Sequence, residues 1–387
     1  MTKKQKIMVA IVAILLAGII VYFISSRDSI RKNRITQIKA ENKQNVENTT
    51  TEKPLNDKNV SPISGLACDN WNRRALAVMQ PSDVPARPAA GFSQADMVIE
   101  MPVITASVTR LMAIYICNTP KEVGSMRSAR HDFIHLAKGL DAIFASWGRS
   151  ESHDKDDKIG LAKGILDRKE IENINCNGDA GVSAHACSTN PCFRKDGFKR
   201  GVDSGYAHPQ EFLNCAKELG YKMTNDFVGY PHQAEAPLDQ RPKGGHLRVA
   251  FAGPFAVGYD YDRDTNSYLR IWGGKNDFDR NNKKRIAPKN IVVMIAKSEQ
   301  IAGQYNNVQL GDPWYDTSDT GEAHYYMNGK EYRGTWKKDK SNIASKLFFY
   351  DENGEEVKFV PGQIWVEILE PGQALKWSKS SLSKLTE

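Results

Sequence analysis

The chain has 387 residues, with 53 Lys and Arg against 46 Asp and Glu, and a formal charge of +7. Its 40% apolar and 26% charged residues match a soluble globular protein long enough for about two domains. The basic residues are scattered among acids without a DNA- or RNA-reading motif, so nucleic acid is not an expected partner. A Walker loop and a dinucleotide Gly-rich fingerprint are both absent, so common nucleotide chemistry is excluded and no cofactor is expected.

Ile7 to Ile24 carries no charge and as a helix extends about 27 Å, close to the ~30 Å hydrocarbon core of a bilayer. The run outlasts the apolar region of a signal peptide and ends in Tyr22-Phe23-Ile24-Ser25-Ser26 with no small-residue cleavage site, so it reads as an uncleaved span. Residues 1–6 are then a cytoplasmic tail and 7–25 a transmembrane helix. Lipid attachment is disfavoured because the first cysteine is Cys68. Lys3, Lys4 and Lys6 precede the span and Arg27, Arg31, Lys32 and Arg34 follow it, so the positive-inside rule does not orient it. All six cysteines lie beyond the span, and an even number suits an oxidising compartment. The expectation is a single-pass membrane protein with its globular part outside the cytoplasm. Residues 26–60 are polar and poor in aromatics, which predicts a disordered stalk.

Residues 61–230 read as an α/β domain. Strand-like runs occur at Ala75–Met79, Gln94–Met101 and Thr109–Cys117, the last almost continuously apolar and expected to be buried on both faces. A helix is predicted from Ser128 to Gly139, with Phe133, Leu136, Ala137 and Leu140 as its apolar stripe, followed by a strand over Asp141–Trp147. Strand, helix and strand suggest a βαβ unit, with any ligand outside the strand ends. A further helix is predicted over 208–220, stopped by Gly220.

The run Asn72-Arg73-Arg74 with Ala77-Val78-Met79, then Ala86-Arg87-Pro88, Gln94-Ala95-Asp96-Met97-Val98, Glu100, Thr109 to Tyr115 and Gly124 to Arg130, resembles the bacterial YerB-like envelope proteins. The resemblance extends over most of the chain after the stalk and implies two domains, membrane attachment and an extracytoplasmic location, in a family of unknown function. Members are often lipoproteins. This chain departs from them in its apparent membrane span and in the insertion-like stretch Cys176 to Cys192.

The candidate site centres on Arg127, Ser128 and Arg130. Two arginines three apart at a helix start can clamp phosphate or carboxylate, with the Ser128 hydroxyl and backbone N–H groups as further donors. The competing reading pairs these arginines with Asp96 or Glu100 as structural acids. Asp96 and Glu100 lie four apart on one strand face, where paired carboxylates can do acid–base work; Arg110 is the more natural partner for Glu100. His131 and His135 have metal-compatible i, i+4 spacing but lack the glutamate of a zinc-protease motif, so they read as core or surface residues and no metal is expected. Cys176, His185, Cys187 and Cys192 offer either a disulfide staple or zinc ligands, and redox grounds favour the disulfide. Gly148-Arg-Ser-Glu-Ser lacks the second glycine of a serine-hydrolase elbow.

Residues 231–245 read as a linker, and 246–372 as a β-rich antiparallel domain. Asn328-Gly329 and Asn353-Gly354 are strong hairpin signals. Tyr259, Tyr261, Tyr325, Tyr326, Trp336 and Trp365 read as cross-strand core, with stacking on sugar rings as the alternative. Residues 373–387 read as a polar tail. The overall fold class is α+β. The leading functional expectation is an envelope binding or scaffold protein for an anionic or glycan ligand. The alternatives are a hydrolase or transferase on an anionic envelope polymer, with Glu100 or Asp96 as base, and an interaction module for another membrane protein.

Overall fold

Alternating strand sequence decides which face each side chain enters, and strands form most of the structure. The computed structural model describes residues 59–151, 161–301, 306–308, 310 and 319–379, all within one unit, Asp57–Glu387. The cytoplasmic tail, the transmembrane helix and, apart from residues 59 and 60, the stalk lie outside the described residues. Among the described residues no helix is long and apolar enough to cross a membrane.

In chain order the first half comprises β1 (Leu76–Pro81), β2 (Met97–Pro102), β3 (Thr109–Tyr115), β4 (Val123–Gly124), α1 (His131–Gly139), β5 (Ile143–Ser146), α2 (Leu161–Asp167), β6 (Asn173–Asn175), β7 (Cys192–Arg194), β8 (Gly205–Ala207) and α3 (Pro209–Glu218). The second half adds β9 (His246–Val249), β10 (Val257–Asp262), β11 (Ser267–Trp272), β12 (Lys275–Asn276), β13 (Asn290–Ile295), a small hairpin of β14 (Glu299–Ile301) and β15 (Asn306–Val308), β16 (Thr320–Met327), β17 (Lys330–Lys337), β18 (Phe348–Asp351), β19 (Ile364–Leu369) and β20 (Leu375–Ser378). The fold is thus β-rich with few helices.

Ten strands form one mixed sheet in the order β18-β17-β16-β13-β19-β2-β3-β1-β5-β6. Strand β19 from near the C-terminus lies parallel to β2, pairing Ile364 with Met97 and Glu367 with Glu100, so strands from both halves of the chain share one hydrogen-bonded ladder. A five-stranded antiparallel sheet, β12-β11-β10-β9-β20, and a three-stranded sheet, β4-β8-β7, complete the frame. The stretch 231–245 contains a short 3-10 turn at Leu238–Gln240, and its start is tied back by Gln233 N–H donating to Phe359 O at 2.9 Å. Leu375–Ser378, within the expected polar tail, pairs with β9 as an edge strand.

The βαβ expectation fell on the wrong strands. Thr109–Tyr115 runs antiparallel to β1, whereas β5 runs parallel to β1 and to β6. The parallel crossover is therefore β5-α2-β6.

Period-2 alternation sorts the long sheet's residues. Met79, Ile99, Met112 and Ile114 enter one core with Phe133 and Ile134 of α1. Val78, Val98, Leu111 and Tyr115 enter the other, with α3 and the aromatics of the five-stranded sheet. The six aromatics weighed for sugar stacking are all buried, and all six fill these cores, as cross-strand alternation predicts.

Inside the second core lies a charged network. Arg270, fully buried, donates to Glu100 at 2.5 Å and to Asp277, and stacks on Trp365 at 4.6 Å. Thr109 Oγ1 also donates to Glu100 at 2.5 Å, and Arg87 pairs with Asp277 at 3.2 Å. Burial and the adjacent Glu100 carboxylate push Glu367 well above the usual carboxyl range, and its Oε1 accepts from the Tyr259 hydroxyl.

The disulfides are Cys68–Cys117, Cys176–Cys192 and Cys187–Cys215, with no free cysteine among the described residues. The insertion is stapled by sulfur bridges, as the redox argument expected.

Removing one partner of a buried ion pair strands the other, so Arg270→Met should lower unfolding stability by about 3–5 kcal/mol in urea titration. A loss below about 1 kcal/mol would mean the network does not join the sheets. Burial, then the charges of His131 and Lys338, lowers the His135 pKa to about 3. A free histidine titrates near ~6.5, so below that pH the unfolded chain takes up a proton that the folded chain refuses. Stability from this group should therefore fall by about 2 kcal/mol between pH 7 and pH 5, and His135→Gln should flatten that slope in urea titrations at the two pH values.

Candidate anion-binding site

Parallel strands β1, β5 and β6 end on the same side of the sheet, and the segment from Ser125 to Arg130 threads across those ends. Arg127 N–H donates to Met79 O at 2.9 Å, Trp147 N–H to Arg127 O at 3.0 Å, Ala129 N–H to Gly148 O at 2.9 Å and Ser150 N–H to Ala129 O at 3.1 Å. These bonds use the backbone groups that a helix needs, so the segment is extended and α1 begins at His131 rather than Ser128, with Arg130 as its N-cap. Gly124 ends strand β4 just before it at φ +156°, where a Cβ would lie 2.5 Å from the Tyr206 ring.

A cavity of about 570 Å³ opens at these strand ends, lined by Arg110, Arg127, Arg149, Arg194 and Arg200 together with Ser128, and, among the described residues, by two carboxylates, Asp83 and Asp179. Most of the arginines are neutralised. Arg127 pairs with Asp203 at 2.5 Å and Asp83 at 3.2 Å, and Arg200 with Asp203 at 2.5 Å. Burial tends to raise the Asp203 pKa, but the hydrogen bonds from Arg200 and Arg127 outweigh it and leave the carboxyl below its ordinary value. Arg149 contacts Glu151 at 2.8 Å and Asp179 at 3.3 Å. Arg194 stacks over Trp147 at 4.3 Å.

Arg110 differs from the rest. It is 7% exposed, its Nη1 donates to Ser128 O at 3.0 Å, its buried Nε has no acceptor, and no ion pair holds it among the described residues. Burial, then the charges of Arg130 and Arg127, depress its pKa well below the arginine value, with Asp83 opposing weakly. A desolvated guanidinium beside like charges is an unfavourable arrangement that an anion in the cavity relieves.

Residues 63–221 match the family model described as protein of unknown function (DUF3048), N-terminal domain, and residues 247–366 match the corresponding C-terminal domain. The chain belongs to this family. It is 26% identical over 326 residues to "Putative lipoprotein YerB" of Bacillus subtilis, an alignment spanning 82% of this chain and 88% of that protein. The crystal structure of the YerB protein from Bacillus subtilis superposes with a TM-score of 0.67 at 26% identity, covering 82% of this chain and 99% of that one. The resemblance expected from the arginine segment thus holds for both halves of the chain, and every cavity arginine falls in the family's N-terminal domain.

Of the expected site residues, Arg110, Arg127 and Ser128 line the cavity, while Arg130 is buried behind it and Nη1 donates to Ala129 O at 2.8 Å. Glu100 and Asp96 are elsewhere. The β2–β3 register sets Glu100 opposite Leu111 and Met101 opposite Arg110, so the pleat sends Glu100 and Arg110 to opposite faces of the sheet. Glu100 meets Arg270 instead. Asp96 Oδ2 accepts from the Ile116 and Cys117 N–H groups at 2.7 and 3.0 Å, and Oδ1 from Ser64 Oγ at 2.6 Å. The two residues lie about 13 Å apart along extended chain and their carboxylates are held by separate sets of partners, so they do not form an acid–base pair. His131 and His135 are both buried on α1, and no metal-ligating cluster occurs among the described residues. Sequence reasoning missed Arg149, which sits in the segment inspected for a hydrolase elbow, and Arg194 and Arg200, which the three-stranded sheet carries back from the insertion.

Arg127 bonds two aspartates and is structural as well as cavity-lining. Arg127→Met should cost about 1.5–3 kcal/mol in chemical denaturation; an unchanged midpoint would assign the Asp203 contact no structural weight.

Proposed function

We propose that the chain is a membrane-attached protein of the bacterial envelope whose globular part lies outside the cytoplasm and binds an anionic group, a phosphate or carboxylate of an envelope polymer or glycan, in the arginine cavity. The observation that carries this reading is Arg110: a buried guanidinium with a free Nε, facing a cavity and repelled by two arginine neighbours. A buried cation with no ion pair among the described residues is costly to fold, and a bound anion supplies both the missing charge and the missing acceptor. Three disulfides support an oxidising location, and the apolar run 7–24 supplies the single-pass attachment, in place of the lipid implied by the relative's name. The reading is of a binder or scaffold. Glu100 and Asp96, the bases a hydrolase or transferase reading requires, do not line the cavity.

The test is titration calorimetry of the full-length chain with inorganic phosphate, sulfate and a glycerol-phosphate oligomer. Arg110→Met should abolish binding, a loss of at least about tenfold in affinity, with an unfolding midpoint equal to or above that of the parent. Binding unchanged in Arg110→Met, or a stability loss as large as that of Arg127→Met, would assign Arg110 a structural role and sink the proposal.

A further inference from the structure

A second site lies in the second half of the chain and does not rest on the arginine cavity. Two open cavities, of about 930 and 700 Å³, share Glu331 and Trp377 among their linings, so one groove passes on both sides of the Trp377 indole. Each lobe has the size of a small-molecule site. The indole is held as a fixed shelf. It packs on Tyr326 at 5.3 Å and Tyr268 at 6.5 Å between centroids, and Gly245 leaves it room, since a Cβ there would lie 2.3 Å from the indole Cη2. Trp377 itself remains half-buried, in contrast with Trp336 and Trp365, which are 2% and 0% exposed.

The walls of the larger lobe supply donors and acceptors together. Arg248, Arg333 and Lys376 are exposed there, with no ion pair among the described residues. Glu322 and Glu331 flank His324 at 2.9 and 3.3 Å. We propose that this groove binds a glycan of two or more pyranose units, with Trp377 stacking on the apolar face of one ring and the flanking charged groups bonding hydroxyls on either side. Hydroxyls both donate and accept, which a wall of mixed arginine and glutamate answers and an apolar groove does not. Strand β20 is also a sheet edge on which an extended peptide could add, but at four residues it offers few main-chain bonds.

The experiment titrates the full-length chain with β-1,4-linked N-acetylglucosamine tetrasaccharide and with maltotetraose, following heat and tryptophan fluorescence, with the matching monosaccharides and an extended β-forming peptide as controls. At least one tetrasaccharide should bind about tenfold or more tighter than its monosaccharide. Trp377→Ala should lose at least about tenfold in affinity, Trp377→Phe should retain most of it, and Arg110→Met should leave it unchanged. If Trp377→Ala does not fold, Arg333→Ala, a change at an exposed residue, should weaken binding instead. Absence of binding by both tetrasaccharides, indifference to the substitution at Trp377 or, where that variant does not fold, at Arg333, or binding of the peptide in place of the sugars overturns the proposal.

Discussion

The ion pair between Arg270 and Glu100 is the contact on which the arrangement of sheets depends. Glu100 belongs to β2 in the family's N-terminal domain and Arg270 to β11 in its C-terminal domain. Both are fully buried, so neither charge can return to water without separating the layers. Around them Asp277 and Tyr259 accept from Arg270, and Ser82 and Thr109 donate to Glu100. Such a network contributes less net stability than apolar packing would, but it tolerates few alternative registers.

The same sheet explains why the arginine cavity lies where it does. Insertion of β19 beside β2 leaves β1, β5 and β6 as the parallel edge, and parallel strand ends are where an α/β sheet opens to ligands. The extended segment through Arg127 is bonded to Met79, Trp147 and Gly148 on either side, which fixes its side chains without a helix. Asp203, held by the turn before β8, absorbs the charge of Arg127 and Arg200. Arg110 has no such counterpart among the described residues, which leaves the described lining of the cavity positive.

Much of the fold was legible in the residues. The apolar run 109–115 reads as a strand buried on both faces and is one. Asn328-Gly329 reads as a two-residue turn, and both residues have positive φ, at 53° and 71°, as that turn requires. Gly220 stops the helix α3. What was not legible depends on register: a one-residue shift between β2 and β3 would have put Glu100 and Arg110 on the same face. The start of α1 was misread for a related reason, because residues with good helical spacing were claimed by neighbouring strands. Trp377 was passed over because its flanking sequence is polar, and only its pairing with β9 and its place over Tyr326 mark it.

The sequence by itself determined the strand-rich character, the two family halves, the paired cysteines and three of the residues that line the arginine cavity, because periodicity, turn chemistry and composition act locally. The tertiary structure decided which charges meet. Glu100 met Arg270 rather than Arg110, Asp203 met Arg127 across some seventy-six residues of chain, and Arg110 met no acid among the described residues. Pairings of that kind depend on strand register and on which elements are brought over a strand end, and neither is written in the order of the residues.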